Sequence, residues 1–220
     1  MNYFAHAVAF LDRPDFAVAT GIPDWLSVVD RKCRLRSKHV EPFLDDPDPF
    51  TKAVAAGVHQ HLLDDAQFHR SRAFTETSLQ ITVAARDFLG DERGLRAGFL
   101  GHLLTELLLD ATLIADNPGR LDTYFEHLDA IDPEQVEYAV NRMAARPTER
   151  LAWMISRFRE ARILSNYLED ETLLERVNQV MTRVNLLPTL PDDFVTTFPA
   201  ARRLVAQRKD GLLEGIPIPQ

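Results

Sequence analysis

Apolar residues recur along most of this chain at three- and four-residue intervals, the spacing of a helix that buries one face. Long alternating Val/Ile/Thr runs are missing and glycine is scarce, so no sheet is predicted. The pattern predicts a first helix over 2–12, stopped by Pro14, with Asp15 capping a short second one. The turn Gly21-Ile22-Pro23-Asp24-Trp25 leads into a helix near 24–31, and Asp45-Asp46-Pro47-Asp48-Pro49 is a loop and a helix start. A long helix follows over 50–69, with Val54, Val58, Leu62 and Ala66 on its apolar side, and 71–89 continues helically. Gly90 to Gly94 is a loop. The helix 95–115 is apolar on nearly all sides, which predicts a central, buried position, and Asn117-Pro118-Gly119 ends it. Further helices are expected near 133–145, 149–165, 170–186 and 193–208, the last with Pro199 as a candidate break. The expected architecture is an all-α, single-domain helical bundle over 1–210. Residues 211–220 form an extended tail, because the Pro-rich end from Gly215 to Gln220 cannot be helical.

The polar positions that interrupt this pattern are more informative. His61, Asp65 and His69 recur every fourth residue, so one helix face carries all three. His102, Glu106 and Asp110 repeat the spacing inside the most apolar helix. Imidazoles and carboxylates on one stripe suit zinc, manganese or iron. A glutamate in an oily helix costs several kcal/mol unless it is paired or bound to a metal. The two helices are therefore expected to face each other and hold metal between them, near the Asp24 turn. Asp24 reads either as a helix cap or as a further ligand, and His6 either as a core histidine or as a terminal ligand. His59 and Asp64 are out of phase with the stripe and read as supporting groups; with Asp110 they are the candidates for a general acid. Arg70 and Arg72 follow the first cluster and could receive a phosphate. His39 and His127 read as surface residues. Cys33, between Lys32 and Arg34, is a weak nucleophile candidate without a partner base.

Composition narrows the class. The chain of 220 residues is 45% hydrophobic with a net charge of −8, which argues against a stable nucleic-acid partner while leaving room for a local basic pocket. One cysteine excludes an internal disulfide and a Cys-rich zinc site, and fits a reducing compartment. No uninterrupted apolar run reaches the roughly 18 residues of a membrane span. The apolar start lacks a basic segment, so a cytoplasmic location is expected. No Gly-rich phosphate loop, nucleophile elbow or dinucleotide fingerprint is present.

Met1-Asn2-Tyr3-Phe4-Ala5-His6 resembles the start of the acyl carrier protein phosphodiesterases, helical relatives of the HD-domain phosphohydrolases. Gly21-Ile22-Pro23-Asp24-Trp25 is similar to a segment of that family carrying a metal-site aspartate. Gly57-Val58-His59-Gln60-His61 with Asp65 resembles its Gly-Ile-x-x-His-Arg-x-Ile-Asp motif. Asn166-Tyr167 and Phe194…Phe198-Pro199 are looser likenesses. Leu62 replaces the family's arginine, His69 its next aspartate, and His102 and Glu106 its later paired aspartates. The set His6, Asp24, His61-x-x-x-Asp65-x-x-x-His69 and His102-x-x-x-Glu106 also resembles zinc-dependent phospholipase C and S1/P1 nuclease motifs. The resemblances imply an HD-like or phospholipase C-like helical hydrolase. Its metals, with zinc favoured, would sit on those seven residues and activate water against a phosphoester, with acyl carrier protein one implied substrate. Two other readings of the residues stand beside it: a non-catalytic helical protein with a structural metal or polar network, and a di-iron-type oxidase.

Overall fold

The computed structural model describes residues 1–90 and 95–218; the expected loop at 91–94 and the last two residues of the tail lie outside the described residues. Among those described, every regular element is helical and no strand occurs. In chain order the α-helices are α1 (Tyr3–Ala7), α2 (Pro14–Ala19), α3 (Ile22–Val29), α4 (Ser37–Val40), α5 (Pro49–Arg70), α6 (Arg72–Leu89), α7 (Leu95–Asp116), α8 (Pro118–Ala130), α9 (Pro133–Met143), α10 (Leu151–Ala161), α11 (Asp170–Arg183) and α12 (Phe198–Leu212). Short 3-10 turns follow α1 and α10 and precede α12.

The chain folds into two compact units. One comprises Met1–Gln67, Asn117–Arg162 and Ile216–Gln220; the other comprises Phe68–Asp116 and Ile163–Gly215. Each is assembled from stretches far apart in sequence, so no linker marks the division. Helix α5 supplies residues to both.

In the first unit α1 is held on several sides. Tyr3 packs against Phe158 at 4.6 Å between ring centroids, and Trp25 closes on the same phenyl ring at 5.3 Å. Phe4 meets Tyr124 edge-on, the Arg120 guanidinium donates to the Val8 carbonyl, and His127 Nε2 donates to the Leu11 carbonyl at 2.8 Å. Tyr124, Arg120 and His127 lie on α8, an element the sequence pattern does not predict. Asn117-Pro118-Gly119 does end one helix, but Pro118 sits in the first turn of the next, where its fixed φ and missing N–H are tolerated. His127, expected at the surface, is half-buried for the same reason.

Helix α5 starts where expected. Asp48 accepts from the Thr51 amide at 3.1 Å and from its hydroxyl at 2.6 Å, satisfying a free amide of the first turn. These bonds hold the Asp48 carboxyl below the usual aspartate range. Gly57 lets α5 press against α2: a Cβ there would lie 2.4 Å from the Phe16 carbonyl oxygen and 2.8 Å from the Ala19 Cβ.

In the second unit α6 packs along α7 through a similar device. A Cβ at Gly101 would lie 2.4 Å from the Ser78 carbonyl oxygen and 2.0 Å from the Thr82 hydroxyl. Leu100, Leu104 and Leu108 are fully buried on α7. Residues Arg96–Asp116 are long and apolar enough to cross a membrane by length and composition, and about two thirds of that stretch is buried, as in a core helix. Ion pairs tie α12 down: Lys209 to Asp116 at 2.7 Å, Arg208 to Glu76 at 3.2 Å and Arg202 to Asp170 at 2.7 Å. Pro199 opens α12 instead of breaking it. That helix runs to Leu212 and takes in the first two residues of the expected tail.

Two outcomes are expected. Gly57→Ala and Gly101→Ala each overpack a helix contact and lower stability by about 1–3 kcal/mol, read from denaturant midpoints. Asp48 has a depressed carboxyl, so its stabilisation is present above the usual aspartate range, near 3.9, and is lost as pH falls through its lower folded value. Asp48→Ala therefore lowers the melting temperature at neutral pH and flattens the acid limb of the stability curve.

Candidate metal centre

Two groups of side chains, one in each unit, could hold a metal ion: His6, His61 and Asp65, and His69, His102 and Glu106. Within each group one ligand atom per residue lies within 4.8 Å of the others.

In the first group His61 projects from α5, one turn after Gly57. Its Nδ1 lies 2.8 Å from the Thr20 carbonyl oxygen at the end of α2. A carbonyl only accepts, so Nδ1 carries the proton and Nε2 presents a lone pair. That Nε2 lies 3.5 Å from Asp65 Oδ2. His6, on α1, stacks on His61 with centroids 4.0 Å apart. Its Nδ1 lies 3.4 Å from Asp64 Oδ2 and its Nε2 3.4 Å from Asp65 Oδ1. Each oxygen of Asp65 thus faces one imidazole. Gln60 donates to Asp64 Oδ1 at 2.7 Å and fixes that carboxylate behind His6. The Met1 backbone nitrogen lies 2.6 Å from Asp65 Oδ1.

Both imidazoles are buried, His6 at 0% and His61 at 3% exposure. His6 Nε2 makes no hydrogen bond. At His61 a nitrogen lone pair faces Asp65 Oδ2 at 3.5 Å, a pair of acceptors that a cation would reconcile, whereas Asp65 Oδ1, which faces His6, also accepts from the Met1 nitrogen. The distal nitrogens are meanwhile satisfied by a backbone carbonyl and a carboxylate, the usual way a protein orients metal-binding histidines. The residues fit a divalent metal.

The second group is more open. His69 Nε2 and His102 Nε2 approach the same Glu106 oxygen, at 3.5 and 3.2 Å. The rings stack at 4.9 Å, and Phe74 meets both edge-on at 4.8 and 5.0 Å. Burial pushes the Glu106 carboxyl up, but nearby positive charge and the bond to His102 outweigh it and hold the group below the usual glutamate range. His102 is 47% exposed. The cost of burial expected for Glu106 is thus offset by the charge and the hydrogen bond beside it, while the neighbouring His102 reaches solvent. Thr105, another polar residue of α7, is satisfied by donating to the Gly101 carbonyl one turn back.

The remaining candidates fall elsewhere. Asp24 sits half-buried in the first turn of α3 and belongs to neither group. Asp64 supports His6. His59 turns its Nε2 toward Glu41 at 3.9 Å, and Asp110 is fully buried one turn beyond Glu106. Arg72 is engaged by Glu76 at 2.6 Å, whereas Arg70 is exposed. Burial pushes the Cys33 thiol up, with Asp30 and Glu137 adding to the effect, opposite to what a nucleophile needs. Sequence reasoning did not single out the Thr20 carbonyl, because a backbone acceptor leaves no trace in residue identity.

His61→Ala is expected to empty the first group while leaving the second loaded, and His102→Ala the reverse. Elemental analysis after divalent-metal loading should show about half the wild-type content in each. Asp64→Asn should weaken metal binding at the first group by about 10–100-fold, read by chelator competition.

Comparison with protein-family models, curated proteins and solved structures returns no match.

Proposed function

We propose that this protein is a metal-dependent phosphoesterase with zinc as the favoured ion and manganese or iron as substitutes. The observation that carries the reading is the pair His6 and His61. Their Nδ1 atoms have a carboxylate and a carbonyl behind them, and their Nε2 atoms face the two oxygens of Asp65. Two nitrogens and one carboxylate form a hydrolytic zinc ligand set that leaves room for water. A divalent metal bound there supplies Lewis acidity, acidifying water and offsetting charge on a phosphoryl oxygen.

The protein's own groups have separable tasks in this reading. Thr20 and Asp64 hold the imidazoles in one tautomer and one orientation. Asp65, 35% exposed, is the member of the buried group that solvent reaches. In the second unit His102 reaches solvent while its Nε2 faces the largely buried Glu106 carboxylate, and Phe74 walls the imidazoles on one side. Arg70 is the guanidinium free to meet a phosphate, since Arg72 is committed to Glu76. The motifs Met1 to His6, Gly21 to Trp25 and Gly57 to Asp65 make the phosphodiester of acyl carrier protein the first natural substrate to test.

The assay is hydrolysis of bis-p-nitrophenyl phosphate by protein of measured metal content, with and without chelator. Turnover that chelation abolishes and zinc restores is expected, with His61→Ala falling to the chelated background. Bound metal without turnover on any phosphoester would assign the groups a structural role instead.

A further inference from the structure

The stretch Arg31-Lys32-Cys33-Arg34-Leu35-Arg36-Ser37-Lys38 carries five cationic side chains and no acid, in a chain whose net charge is −8. All five are exposed. Among the described residues none of them forms an ion pair: Arg31 and Arg34 donate through Nε only to the carbonyls of Ser27 and Arg31. The residues between them point the other way. Cys33 is 1% exposed and Leu35 7%, so the segment is pinned by its apolar side chains and sheds its charges outward. From Lys32 to Arg36 inward and outward positions alternate, Lys32 in a turn that the Cys33 amide closes on the Asp30 carbonyl and Arg34 to Arg36 in the irregular stretch before α4.

Unpaired, outward cations on a fixed backbone call for an anionic partner. The flanks decide which kind. Asp30 immediately precedes the segment, Glu41 follows it, and Asp45, Asp46 and Asp48 come next. A nucleic-acid strand carries phosphates at fixed intervals, and one that followed the chain past the segment would meet the exposed Glu41 and Asp45. A fluid lipid surface has no such constraint: anionic headgroups gather under the cations and neutral ones under the acids. Repulsion from acids further than the Debye length of about 8 Å is screened.

We propose that residues 31–38 form an electrostatic docking surface for the anionic face of a phospholipid bilayer. No side chain of the segment needs to insert, since its apolar residues are already buried. Attachment is therefore reversible and sensitive to salt.

The test is co-sedimentation of the full chain with vesicles of phosphatidylcholine alone or mixed with phosphatidylserine. Binding is expected only to the mixed vesicles, and high salt should release the protein. Each cation removed should weaken partition about fivefold, so Arg34→Gln/Arg36→Gln/Lys38→Gln should lose on the order of a hundredfold. The charge-retaining Arg34→Lys/Arg36→Lys keeps binding, which separates lost charge from lost folding. Arg176→Gln/Arg203→Gln, in the other unit, should leave it unchanged. Equal binding to neutral vesicles, full binding by the triple glutamine variant, or retention of single-stranded nucleic acid in place of vesicles would each overturn the assignment.

Discussion

The bond from His61 Nδ1 to the Thr20 carbonyl is the contact on which the candidate centre depends. It fixes where the imidazole proton is, and so which nitrogen is left to face Asp65. It exists only because α5 can approach α2 at Gly57, where any side chain would collide with Phe16 and Ala19. A glycine one turn before a histidine thus sets the position of a lone pair. The same histidine supplies the platform on which His6 stacks, so the orientation of one ring passes to the other.

A second constraint comes from helix geometry. Residues four apart on a helix do not superpose: each step turns about 40° further round the axis. From His61 to His69 the drift reaches about 80°, so a stripe of three becomes a curve. His61 and Asp65 meet His6 from α1, whereas His69 meets His102 and Glu106 from α7. The expectation of one ligand set shared by the two long helices overlooked this turn. The residue types were readable, but their grouping depends on an angle that a four-residue spacing conceals.

Much of the helical content was legible, because periodicity, proline and acidic caps are local. Asp48 and Pro49 announced α5, and the apolar run from Leu95 announced α7. What escaped was punctuation with two meanings. Pro118 and Gly119 read as a stop, yet they open α8, the helix that secures the start of the chain through Tyr124, Arg120 and His127. His6 shows the same limit at the site. Nothing in its neighbours distinguishes a core histidine from a ligand; its role rests on Asp64 and Asp65, some sixty residues away and brought close only by folding.

Burial separates the two groups in a way composition could not. At the first, both imidazoles are out of water, and their nitrogens face a carbonyl and the carboxylates of Asp64 and Asp65. At the second, His102 is half in solvent, and the burial of the Glu106 carboxylate is offset by the positive charge and the imidazole beside it. Yet helix α7 could have buried its surroundings more completely with an aliphatic residue at position 106, where the carboxylate is only 15% exposed. Keeping Glu106 where two imidazoles approach one of its oxygens sacrifices apolar burial for a directed set of donors.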